Sequence, residues 1–152
     1  MNKKIFYRII NILCLIMVLG TTIWLVAYWK NIPAEIPTHF DIYGNADDFG
    51  SKKDIIMLPI FTWIMLGVMS LVECFPGTWN TGVKVTPENS VRVYTIIKGM
   101  LVWVKFIVML IFVLMTIFSA LGKSLPVWLV PVEMVLIFGT IIVNLVRLYR
   151  AK

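Results

Sequence analysis

Three ionisable side chains stand inside otherwise apolar runs: Glu73, Lys105 and Glu133. A charge at membrane depth is costly and normally turns inward to a partner, an ion path or a proton relay, so each is a candidate site. A second group lies between two apolar runs, where residues 36–52 read IPTHFDIYGNADDFGSK. Its candidate ligand-binding residues are His39, Phe40, Asp41, Tyr43, Asp47 and Phe49. His39 is the one imidazole of the chain, the side chain that changes charge nearest neutrality. Asp41, Tyr43, Asn45 and Asp47 have the spacing of a calcium loop, but Ala46 stands where that loop needs Gly and Lys52 where it needs Glu. A divalent ion on His39, Asp41, Asp47 and Asp48 would have a single imidazole behind it. The favoured reading gives the Asx residues to turns and the aromatic rings to packing on a bundle mouth or a membrane interface. No metal or cofactor is expected.

Such residues need elements to hold them. Of 152 residues, 60% are hydrophobic and only 14% charged, against about half and about a quarter in soluble domains. The mean hydropathy is +0.90. Four apolar runs reach the roughly 20 residues that a helix needs to cross about 30 Å of hydrocarbon: residues 9–29, 55–75, 97–119 and 127–146. In lipid each must be helical, because no water satisfies an open backbone. The expectation is an all-α membrane protein, a single domain over 1–152 built as a four-transmembrane-helix bundle. An outer loop (30–54), an inner loop (76–96), an outer turn (120–126) and a tail (147–152) complete it. The first run is longer than a signal-peptide core and no small-x-small site follows it, so it is read as a retained span.

Orientation follows the basic residues, which favour the cytoplasmic side. With both termini inside, Lys3, Lys4, Arg8, Lys84, Arg92, Lys98, Arg147, Arg150 and Lys152 share the inner face, and the His39 segment is extracytoplasmic. The net charge of +6 is then mostly an inner-surface property, with Lys30, Lys52, Lys53 and Lys123 on the outer side, and it suits anionic lipid rather than nucleic acid. Cys14 and Cys74 fall toward the reducing side and read as small packing residues. The location expected is the cytoplasmic membrane, with the bilayer as first partner and a homo-oligomer left open.

Start signals sit at Ser51 to Asp54, a capping box, and at Thr86-Pro87-Glu88, which places the third helix start well before the membrane. Residues 122–126 (GKSLP) make a short turn, so the last two helices form an antiparallel hairpin. Pro131 is expected to kink the fourth.

Helical spacing gathers Asn11, Cys14 and Thr21 on one stripe. It does the same for Thr62, Ser70 and Glu73, for Lys98, Lys105, Thr116 and Ser119, and for Glu133, Thr140, Asn144 and Arg147. Glu73 lies within about 6 Å of the level of Lys105, a gap a lysine stem spans, whereas Glu133 lies about 12 Å away. The expected pair is Lys105 with Glu73, leaving Glu133 protonated, water-linked or lining an outer cavity. Such groups serve either as glue between helices or as parts of a transport path.

The run Ile-Pro-x-His-Phe, followed by Gly44-x-x-Asp47-x-Phe49-Gly50-Ser51-Lys52, resembles the bacterial membrane family catalogued as domain of unknown function 1648. The likeness covers about half the chain. Asp48 stands where the family commonly has Gly. Immunity proteins against a secreted sporulation-delaying peptide toxin contain this domain, and this chain is shorter, with fewer spans. The resemblance implies a small membrane protein of immunity or signalling type that recognises a membrane-active peptide, and it carries over no catalytic residues. The rival is a small transporter or transporter subunit using Glu133 and Lys105. An enzyme is not expected, since no nucleophile elbow, His pair or metal-ligand cluster is present.

Overall fold

The computed structural model describes residues 3–152. Four helices dominate: α1 (Lys3–Tyr28), α2 (Met57–Cys74), α3 (Ser90–Ala120) and α4 (Leu129–Tyr149). Each is long and apolar enough to cross a membrane. Most of their large apolar side chains face outward, from Ile12 and Ile16 on α1 to Val135 and Ile142 on α4. In water that surface would drive aggregation; in hydrocarbon it is the solvated face.

The expectation of an all-α chain is corrected between α1 and α2. There β1 (Glu35–Phe40) and β2 (Ala46–Ser51) pair antiparallel. Ile36 stands opposite Gly50 and Pro37 opposite Phe49, with irregularities on both sides of His39. Short 3-10 turns, Trp29–Asn31 and Lys52–Ile56, lead into and out of this hairpin.

α3 is the central post. It packs against α1, α2 and α4, while α1 and α2 touch each other only lightly. The mid-bundle core joins Ile10, Cys14 and Val18 of α1 to Leu66 of α2 and to Val102, Met109 and Val113 of α3. A second cluster, Leu25, Ile32, Ile36, Ile55 and Ala120, seats the hairpin on the bundle end. A third, Val93, Ile97, Leu148 and Ala151, closes the opposite end.

Helix limits follow local chemistry. α1 begins at Lys3, six residues ahead of the apolar run, because water-facing residues extend a helix past the lipid boundary as readily as apolar ones. Ser51 Oγ accepts from the Lys53 N–H at 3.3 Å, and the element it opens is the 3-10 turn, with α2 proper starting at Met57. Thr86 and Asn89 cap each other reciprocally, Asn89 Oδ1 accepting from the Thr86 N–H at 2.8 Å and Thr86 Oγ1 from the Asn89 N–H at 3.4 Å. Residues 87–89 therefore form a turn and α3 starts at Ser90. At its far end Gly122 takes φ +65°. The Gly122 N–H reaches Ser119 O and the Lys123 N–H reaches Phe118 O, a Schellman ending that needs this left-handed residue. Pro131 makes no mid-helix kink: it lies in the first turn of α4, just before Val132 opens the ladder to Trp128 O, where a missing N–H costs nothing.

Candidate functional site

Two sites emerge, one inside the bundle and one on its end. The inner one closes around Lys105, which is 1% exposed, and Glu73, 5% exposed. Lys105 Nζ lies 2.5 Å from Glu73 Oε1 and donates to Ser70 Oγ at 3.2 Å. Asn11 Nδ2 donates to Glu73 Oε2 at 3.1 Å. The contact at Oε1 has the distance of an ion pair without hydrogen-bond angles, so charge rather than directed bonding holds that oxygen. Helices α1, α2 and α3 each supply a member, so the network forms only when all three are docked. The pairing expected from helical depth is thus present. Asn11 and Ser70 lay on the predicted polar stripes, but spacing alone could not single them out as partners.

Glu133 stands apart. It is half-buried on α4, and among the described residues no hydrogen bond or ion pair reaches it. On the same stripe Asn144 is buried and bonds its own helix through Thr140 O at 2.7 Å.

The outer site is the hairpin. Its tip is an Asx turn: Asp41 Oδ1 accepts from the N–H groups of Tyr43 and Asn45, each at 2.8 Å, and Asp41 Oδ2 from Asn45 Nδ2 at 3.1 Å. These bonds, led by that from the Asn45 side chain, hold the Asp41 carboxyl below the usual aspartate range. Gly44 takes φ +82° and lies flat on the α3–α4 turn, its carbonyl accepting from the Leu125 N–H at 2.8 Å. A Cβ there would stand 2.8 Å from Leu125 O. Two hydroxyls that sequence reading did not assign to this site pin the hairpin to the end of α3 and to the same turn: Ser119 Oγ donates to Pro37 O at 2.5 Å, and Ser124 Oγ accepts from the Ala46 N–H at 3.3 Å. Only their polarity near a predicted turn could have suggested it.

The acidic groups of the hairpin are spent separately. His39 Nδ1 lies 2.6 Å from Asp47 Oδ1, Thr38 Oγ1 donates to Asp48 Oδ2 at 3.1 Å, and Asp41 is folded into the tip. Among the described residues no group of three or more potential metal-ligating side chains converges. Of the predicted aromatic residues, Phe40 packs against the cluster of Ile111, Leu125 and Leu129, whereas Tyr43 and Phe49 point outward with Ile42, each more than half exposed.

At this end α1 and α2 part, opening a groove of about 1000 Å³ walled mainly by Leu25, Val26, Trp29, Ile60, Trp63 and Ile64. Across it Trp63 Nε1 donates to Thr22 Oγ1 at 3.1 Å, and Lys30 also lines it. The groove and the hairpin thus share one end of the bundle, the groove between α1 and α2 and the hairpin tip on the α3–α4 turn.

Four helices able to cross a bilayer, joined by a pinned hairpin, are the architecture of a multi-pass membrane protein. Residues 16–63, less than half of the chain, match the family model described as Domain of unknown function (DUF1648). The matched stretch spans the second half of α1, the whole hairpin and the first turns of α2. No curated protein and no solved structure matches the chain.

Proposed function

We propose that this chain is a small membrane protein of immunity type, which binds a cationic, membrane-active peptide at the hairpin and in the groove between α1 and α2. One observation carries the reading: a pinned hairpin exposes Ile42, Tyr43 and Phe49 beside Asp47 and Asp48 at the same end of the bundle as an apolar groove between α1 and α2. An amphipathic peptide would lay its apolar face in the groove, as helix-in-groove recognition does, and its cationic side would meet the carboxylates. Sequestering it in this way keeps it from disordering lipid. The resemblance to the domain of toxin-immunity proteins points the same way. In this reading both termini are cytoplasmic and the hairpin lies outside, as the basic residues favour.

Binding of a fluorescent cationic amphipathic peptide to the protein in nanodiscs tests it, alongside protection of peptide-sensitive cells expressing the chain. Tyr43→Ser with Phe49→Ser should weaken binding at least tenfold, about 1.4 kcal/mol, and Ala27→Phe, which fills the groove, should do likewise. If neither change alters binding, or the wild-type chain protects cells from no such peptide, the reading fails.

A further inference from the structure

At the end of the bundle away from the hairpin, α1 starts, α3 starts and α4 ends, and their cations converge. Lys3, Arg92, Arg147 and Arg150 line one cavity of about 520 Å³ together with a single acid, Glu88. None of the four cations forms an ion pair among the described residues. The Glu88 carboxyl is engaged by the Thr86 hydroxyl, which holds it below the usual glutamate range. Four unpaired positive groups around one hollow repel each other, and an anion placed among them removes that cost.

A second cavity, of about 250 Å³, shares Lys3, Thr95, Ile96 and Arg147 with the first and continues along the bundle. Its deeper wall is aromatic, with Phe6 and Trp103 5.8 Å apart. Gly99 lets α1 come close here: a Cβ would stand 2.9 Å from the Tyr7 hydroxyl. The combined space has a cationic mouth at the level of the helix ends and an apolar throat at the level of the hydrocarbon.

We infer that this space is a binding site for one anionic phospholipid of the adjoining leaflet, its phosphate held by Arg92, Arg147, Arg150 and Lys3 and its first acyl carbons against Phe6 and Trp103. A soluble phosphate fits the mouth but leaves the throat empty. A second helix fits the throat but leaves the cations uncompensated. The site is independent of the peptide-binding surface, which lies at the other end.

The test measures lipid binding to the purified full chain by native mass spectrometry, with phosphatidylglycerol against phosphatidylcholine of equal chain length. Phosphatidylglycerol should be preferred, and Arg92→Gln with Arg147→Gln should reduce its binding about twenty-five-fold, at about fivefold per basic residue. The same loss of charge at the hairpin end, Lys52→Gln with Lys123→Gln, should leave binding unchanged. Equal retention of the two lipids by the wild-type chain overturns the proposal, and so does displacement by millimolar inorganic phosphate, which would mark a soluble-anion site. The wild-type comparison decides the matter even if the double variant does not fold.

Discussion

Lys105 is held by Glu73 and Ser70 with almost no access to solvent. A buried ion pair adds little stability over apolar side chains of the same volume, yet removing one partner strands the other. Lys105→Met should therefore destabilise the bundle by about 3–5 kcal/mol, read as lost resistance to unfolding in detergent. Adding Glu73→Leu to it should restore most of the loss. If the double variant is as unstable as the single, the pair is not what sets the cost. Asp41 makes a prediction of opposite exposure. Its folded-state carboxyl titrates below the ordinary value of 3.8. Its contribution to the tip is therefore complete above that value and lost as the pH falls below it. The protection of the Tyr43 and Asn45 amides, measured against their intrinsic exchange rates, should fall under those acidic conditions and stay level between pH 5 and 7, while Asp41→Ala should lose it at every pH.

At the level of elements, the helices were legible and the hairpin was not. Apolar runs of bilayer length admit only helices, and the one depth comparison that mattered, Glu73 with Lys105, follows from the rise per residue. The strands carry mixed marks, since the alternating Ile36, Thr38 and Phe40 of β1 have little support around them. β1 contains Pro37 and β2 reads ADDFGS, with residues that disfavour strands and no clean alternation. What makes them strands is contact with the bundle: Ile36 and Pro37 are buried side by side, and Ser119 holds the Pro37 carbonyl. The outer candidates were legible as a group, since all six lie on or beside the hairpin. Their division into inward Phe40 and outward Tyr43 and Phe49 depends on that docking. Gly44→Ala tests the docking itself. A left-handed alanine costs about 1–2 kcal/mol, and its Cβ would also meet Leu125 O. Proteolysis within residues 40–50 should rise severalfold while the helical circular dichroism signal is retained.

For the whole molecule, orientation is the property on which the proposed function turns. In a Cys74→Ser background, with Cys14 buried, Asn45→Cys should react with an impermeant maleimide in intact cells, and Lys84→Cys only after permeabilisation. The reverse pattern would place the hairpin in the cytoplasm and end the peptide-recognition reading. The central position of α3 also bears on how the chain is made. Glu73 leaves the ribosome roughly 30 residues before Lys105, a wait of a few seconds at ordinary translation speed. During that interval the first two spans must enter the bilayer with a carboxylate whose counter-charge has not been synthesised. Glu73 lies one residue from the end of α2, so it can linger at the water boundary until the third span arrives and draws it inward.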